Sequence, residues 1–225
     1  MFSMAAAPVD LEAILKSARV VRGVQAVSAT AVPSGWAAFD AVLPDRGLPR
    51  GVTELVAPEL AGGATTVALA AMRAAHERDP RAWCAWLEVA GEASLYAPAV
   101  ERAGVDRARL MVTRAPSARD LPRLASKIAG SGAFDVVAVR GASSFDVRAV
   151  RRLALATEEH GGVVLLVTDA YVTHEVWPTA LRLELTRTPA AISVRVARDR
   201  RGRTSAARSV GLPTSGPTVG ALAVA

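Results

Sequence analysis

Val52-Thr53-Glu54-Leu55-Val56-Ala57-Pro58-Glu59-Leu60-Ala61-Gly62-Gly63-Ala64-Thr65-Thr66 is the stretch that decides the fold. A short apolar strand, Val52–Val56, runs into a loop of small residues, and the loop opens an alanine-rich helix over about Thr65–His76. This layout can cradle phosphate, because backbone N–H groups at a helix start wrap an anion. A working phosphate loop also needs a lysine for the β/γ-phosphates and a Ser/Thr hydroxyl for magnesium. Here the lysine position holds Gly63 or Ala64, according to where the gap is placed, and the first glycine is Ala57 or Pro58. The chain's two lysines, Lys16 and Lys127, lie far away in sequence. The loop of Ala57, Pro58, Gly62, Gly63, Ala64 and Thr65 reads as architecture kept without its chemistry, and no cofactor is expected on it.

Outward from this loop, strands and helices alternate. Upstream, Pro33-Ser34-Gly35 starts a short helix, Trp36–Leu43, and Gly47-Leu48-Pro49-Arg50-Gly51 is a tight connector into the strand. Downstream come strand Ala82–Val89, helix Leu95–Ala103 with Gly104 as its C-cap, and strand Leu110–Thr113. Helix Leu121–Gly130, strand Val136–Val139, helix Val147–His160 and the very apolar strand Val163–Thr168 follow. Such alternation predicts a parallel sheet covered on both faces. The pattern then changes. Leu181–Arg187, Ala191–Arg198 and Thr204–Val210 alternate apolar and polar side chains across short turns, the antiparallel signature. The expected fold is α/β: a mostly parallel central sheet flanked by helices, with an antiparallel C-terminal extension. Residues 1–30 form an N-terminal helix and linker, 31–210 the core, and 211–225 a tail expected to be flexible.

Within the first segment, Val9–Arg22 reads as a helix with Asp10 as N-cap and Leu11, Ile14, Leu15 and Ala18 at helical spacing. A short isolated amphipathic helix must dock, either on its own domain or on a partner. No secretory signal is evident at the start, and no apolar run approaches the roughly 20 residues needed to span a bilayer. A cytoplasmic location is therefore expected.

The 225 residues are enough for one α/β domain with a substantial core. The formal charge of +6 is carried almost wholly by arginine, which suits bidentate phosphate or carboxylate contacts but also follows from genome composition. A single cysteine, Cys84, sits in an apolar run and reads as a buried small hydrophobe; it excludes an internal disulfide. His76, His160 and His174 lack ligand spacing, so no metal site is expected.

The order of elements, together with particular residues, resembles the RecA ATPase core. Val32-Pro33-Ser34-Gly35-Trp36-Ala37-Ala38-Phe39-Asp40, Gly47-Leu48-Pro49-Arg50-Gly51 and Glu54-Leu55-Val56-Ala57-Pro58-Glu59 are similar to the RecA segment leading into its phosphate loop. Ser131-Gly132-Ala133-Phe134-Asp135-Val136-Val137-Ala138-Val139 is similar to the RecA strand that carries the magnesium aspartate. The resemblance covers about Ala31 to Val210. It implies that Arg140 stands at the Walker-B aspartate, Ala90 at the catalytic glutamate two residues after Glu88 (with Glu92 a displaced substitute), and Asp169 at the γ-phosphate-sensing glutamine. Losing lysine, aspartate and glutamate together removes phosphate clamp, metal ligand and water-activating base. The chain reads as a pseudo-ATPase. The stretches matching the RecA DNA loops are also reduced: one helix fills most of Gly141–Gly162, and Asp169–Ala180 is short.

A small RecA-like chain with a degraded loop and the sequence Pro-Ser-Gly-Trp-x-Ala-Phe-Asp-x-x-Leu-Pro-x-x-Gly-Leu-Pro-Arg-Gly resembles the ImuA family of translesion-mutagenesis accessory proteins. That resemblance implies action in the DNA-damage (SOS) response through protein–protein contacts. The implied partners are an ImuB-like adaptor polymerase and an error-prone replicative-type polymerase. The RecA resemblance adds RecA itself, where the corresponding helix docks on the neighbouring subunit, so the chain would antagonise RecA by docking through Leu11, Ile14 and Leu15. Two alternatives stay open: a divergent ATPase binding nucleotide through backbone amides, and a damage-induced cell-division inhibitor.

Arg195, Arg198, Arg200, Arg201 and Arg203 cluster around one hairpin. Three readings compete for them: a solvated tip, docking to an acidic partner, or weak non-specific contact with DNA phosphates. No aromatic residue interleaves them, so base stacking has no support. Of the four tryptophans, Trp36, Trp83 and Trp86 are core candidates, and Trp177, before Pro178 in a short loop, is expected to be exposed as a contact residue.

Overall fold

Strand β1 (Gly51–Ala57) is buried along its whole length, because it has hydrogen-bonded neighbours on both sides and a packed layer on both faces. It belongs to a computed structural model that describes residues 31–57, 62–92, 94–169 and 176–213. The other strands are β2 (Cys84–Val89), β3 (Leu110–Ala115), β4 (Val136–Arg140), β5 (Val163–Asp169), β6 (Leu181–Arg187), β7 (Ala191–Asp199) and β8 (Arg208–Gly211). They form one sheet in the order β3-β2-β4-β5-β1-β6-β7-β8. The pairings from β3 through β6 are parallel, and β7 and β8 add antiparallel strands. The α/β class, the largely parallel sheet and the antiparallel C-terminal extension are as the sequence predicts.

The helices are α1 (Ala37–Asp40), α2 (Ala64–Arg78), α3 (Ala97–Arg102), α4 (Leu121–Ala129) and α5 (Val147–His160). Helix α2 buries Ala64, Ala68, Ala71 and Ala75, small side chains that let its backbone sit close to the sheet, with Met72 and Leu69 filling the remaining gap. That layer, with Trp36, Phe39, Leu55, Trp86, Leu165 and Leu183, forms one core. The second lies under α4 and α5 and gathers Val52, Leu87, Val139, Leu153, Leu166 and Trp177. Asp146 caps α5 by accepting from the Ala149 N–H, and Gly161 (φ 72°) ends it in the left-handed region that glycine enters without strain.

Three expectations are corrected here. Trp177 is buried, 1% exposed, rather than offered to a partner. Its ring fills the core under α5, its carbonyl accepts from Arg198 Nη2, and an aromatic body of this size is worth several kcal/mol when removed from water, about 25 cal/mol per Å². The exposed tryptophan is Trp83, at 45%. The last strand is shorter than Thr204–Val210, because the Ser205 hydroxyl takes the Val196 N–H and interrupts the ladder before Arg208.

The helix expected over Val9–Arg22, with Leu11, Ile14 and Leu15, lies outside the described residues, as do Pro58–Ala61, His174 and most of the tail. No described helix is long and apolar enough to cross a membrane. Among the described residues no group of three or more His, Cys, Asp or Glu is placed to hold a metal.

Candidate functional site

At the carboxyl end of β1 the described chain resumes at Gly62, and Gly63 is the N-cap of α2 with φ 100°. A Cβ at Gly63 would lie 2.6 Å from Ile192 Cδ1 of β7. Glycine is thus demanded twice, by backbone angle and by the closeness of β7. Ala64 is buried, Thr65 and Thr66 are half-buried, and Arg187 Nη1 reaches Thr66 Oγ1 at 3.4 Å. The start of α2 opens onto a groove of about 310 Å³ lined by Thr65, Thr66, Arg73, Arg102 and Arg187 over an alanine and leucine floor. Arg73 is already engaged, donating to the Gly35 carbonyl at 3.0 Å and lying 3.5 Å from Glu77.

Two buried carboxylates organise the sheet beside this end. Glu54 of β1 is fully buried; Arg182 Nη1 lies 3.1 Å from its Oε2 and Thr168 Oγ1 lies 3.3 Å from its Oε1. Burial raises the Glu54 carboxyl above its ordinary range, and the charges of Arg182 and Arg198 with the Thr168 hydroxyl only partly offset this. Glu88 at the end of β2 accepts from the Trp86 indole at 3.0 Å, the Leu95 N–H at 2.9 Å and Arg114 Nε at 2.8 Å. Burial would raise Glu88 too, but these donors outweigh it and hold the carboxyl below its usual value. Glu88 ties β2 to β3 and to the entrance of α3.

The other positions singled out by sequence fall nearby. Arg140 ends β4 opposite Val167 and is half-buried. Ala90 donates its N–H to the Ala115 carbonyl and carries no acidic group. Glu92 approaches the β4 end: its Oε2 lies 3.5 Å from where a Cβ on Gly141 would stand. Asp169 is the last residue of β5.

Every hairpin arginine has a partner within the fold. Arg195 pairs with Glu184 at 2.6 Å, Arg198 donates to the Trp177 carbonyl, and Arg200 donates to the Arg50 carbonyl at 3.1 Å. Arg201 lies 3.6 Å from Asp45. Arg203 grips both Asp45 oxygens, at 2.9 and 2.8 Å, and also bonds Asp199. The buried Asp199 carboxylate takes the Arg201 and Arg203 N–H groups as well, which fixes the turn. Arg201 and Arg203 hold the β7 turn against the Pro44–Asp45 loop.

Sequence reading passed over Glu54, Arg182 and Asp45. A glutamate inside Val-Thr-Glu-Leu-Val was a usable signal, since such a residue is buried only with a partner. Its partner sits in a strand far along the chain, which periodicity does not reveal.

Residues 41–178 match the family described as MT3502 N-terminal domain. The chain belongs to this family. The MT3502 N-terminal domain span runs from the end of α1 to Pro178 and takes in β1 to β5, the stretch between β1 and α2, Glu88, Arg140 and Trp177. Strands β6 to β8, with the hairpin arginines, lie beyond it. No curated protein matches the chain.

Proposed function

We propose that this chain is a RecA-like, non-catalytic accessory protein of damage-induced translesion synthesis that works through protein–protein contacts. Its partners would be an ImuB-like adaptor polymerase, the error-prone polymerase complex and RecA. The observation carrying the reading is the carboxyl edge of the sheet. There Gly63 lies against Ile192 where a phosphate loop places its lysine, and Arg140 ends β4 where a magnesium site needs a carboxylate. The strand order, with parallel strands running into an antiparallel extension on the β6 side, supports the RecA-like part of the reading. Glu88, two residues before the position matched to the catalytic glutamate, is committed to Trp86, Leu95 and Arg114.

The divergent-ATPase alternative has one observation in its favour, the approach of Glu92 to Gly141 beside Arg140. Calorimetric titration with magnesium-ATP, combined with a turnover assay, separates the two. The accessory reading expects neither heat of binding nor phosphate release, and it expects the chain to co-purify with the adaptor polymerase. Magnesium-dependent turnover lost in Glu92→Gln would replace the accessory reading with the enzymatic one.

A further inference from the structure

Helices α4 and α5 lie side by side on the sheet face opposite α2: a Cβ on Gly130, just past α4, would stand 3.6 Å from Ala156 of α5. Their outer surface carries Arg123 and Lys127 from α4 and Arg148, Arg151 and Arg152 from α5, with Arg119 just ahead of α4, all exposed. Among the described residues none of these six cations forms a hydrogen bond or ion pair. The hairpin arginines, by contrast, are all engaged internally. Arg46, Arg102, Arg107 and Arg208, also without side-chain partners among the described residues, come from separate parts of the chain.

Asp120 and Asp146 at the amino ends and Lys127 in the last turn of α4 suit the helix macrodipole, but other charges run against it. Neither first turn contains an acidic residue; Arg123 and Arg148 stand there instead, at the end where the macrodipole disfavours a cation. Glu158 and Glu159 fall at the carboxyl end of α5, where anions are disfavoured. Arg123 with Lys127 and Arg148 with Arg152 are like-charge pairs four residues apart, which repel. Asp120 accepts from Ser117 Oγ at 2.7 Å and Asp146 from the Ala149 N–H at 2.6 Å, and among the described residues neither forms an ion pair with the helix cations. The carboxylates at the helix ends, Asp120, Asp146, Glu158 and Glu159, offset only part of the charge of the six cations, so the face keeps a positive excess that an external anion can meet.

We infer that the outer face of α4 and α5 is a docking surface for the phosphate backbone of duplex DNA. Neither helix carries a Phe, Tyr or Trp on which bases could stack, as single-strand binding favours. Leu155 is the one large apolar side chain exposed on either helix, too little for the apolar centre of a protein interface, whereas nucleic-acid interfaces are polar and strongly basic. Helices packed about 8–10 Å apart spread the cations over a width that several phosphates can occupy. Binding is therefore independent of base sequence. The surface is a property of the fold and stands whether or not the protein partner is a polymerase adaptor.

The test is fluorescence anisotropy of the full chain with a labelled duplex of mixed sequence, titrated across salt concentration. Each phosphate contact adds about 0.9 to the slope of log affinity against log salt. The pairs Arg148→Gln/Arg152→Gln and Arg123→Gln/Lys127→Gln are each expected to lower that slope by about 2 while melting at or above the wild-type temperature. Arg203→Ala is expected to leave the slope unchanged. No duplex binding at low salt, unchanged slopes in both pairs, or binding of a poly-glutamate probe in place of duplex would overturn the inference. So would loss of binding accompanied by a lower melting temperature, since it would give these arginines a structural role.

Discussion

The Arg182 guanidinium reaches across from β6 to within 3.1 Å of the Glu54 carboxylate, which lies at the centre of the sheet and is closed off from solvent. The pair fastens the central strand β1 to β6, the last parallel strand before the antiparallel pairing of β6 with β7. Removing Arg182 strands a buried carboxylate, so Arg182→Ala is expected to cost about 2–4 kcal/mol near neutral pH, the cost being moderated by the partial exposure of the guanidinium. Because burial raises the Glu54 carboxyl, its contribution to stability is fully present below the unfolded-state pKa and is lost as pH rises through the folded one. Urea unfolding from about pH 4 to pH 8 should show this decline in the wild type and a flatter profile in Glu54→Gln. An identical profile in Glu54→Gln would remove Glu54 as its source.

Gly63→Ala should destabilise the protein by about 2–4 kcal/mol, combining a left-handed backbone angle with overpacking against Ile192. Ile192→Val alone should cost about 1 kcal/mol. Because Val lacks the Cδ1 atom at 2.6 Å, the double variant should be less damaged than the two single costs added together. Strict additivity in thermal melts would show that backbone angle alone demands the glycine.

Arg203 and Asp45 are both partly exposed, so screening keeps their pairing modest. Arg203→Ala is expected to lose about 1 kcal/mol, and Asp45→Asn about the same. The Arg203 hydrogen bonds hold the Asp45 carboxyl below its usual value, so this contribution is present above the unfolded-state pKa and is lost as pH falls through the lower folded one. A double-mutant cycle with no coupling at neutral pH would contradict the pairing.

Burial pushes the Cys84 thiol up to about 12, with the nearby Asp135 charge adding to the effect. The folded protein should not react with thiol-specific reagents at neutral pH, and labelling should track global unfolding. Stoichiometric labelling of folded protein would place the thiol at an accessible site.

Of the four tryptophans only Trp83 is substantially exposed. Acrylamide should quench part of the native fluorescence, and Trp83→Phe should abolish most of that accessible fraction. Persistent quenching in Trp83→Phe, reduced instead in Trp177→Phe, would return Trp177 to the surface.

Local chemistry made much of the fold legible. Helix α5 runs from Val147 to His160 as its apolar spacing and Gly161 predict, and β6 occupies Leu181–Arg187 as its alternation predicts. The β1 end was legible because an apolar strand leads on to Gly63, whose φ of 100° is reserved for glycine by backbone geometry that sequence displays directly. What escaped depends on partners distant in sequence. Trp177 sits in a short segment before a proline, and only the space left under α5 decides that its ring turns inward. The hairpin arginines looked like a basic surface because the Asp45 and Glu184 carboxylates that hold them lie in other elements. The cations of α4 and α5 drew no attention, since a charged outer helix face is ordinary until it proves unpaired.

The central position of β1 also has a consequence during synthesis. Among the described strands it is made first, yet both its neighbours, β5 and β6, follow only after β2, β3 and β4; Glu54 and Thr168 are 114 residues apart. At about 5–20 residues per second the ribosome leaves this apolar strand without either partner for on the order of 10 s. Throughout that interval the nascent chain presents two open strand edges at once, so interaction with holdase chaperones should peak after β1 emerges and collapse only when β6 has left the tunnel.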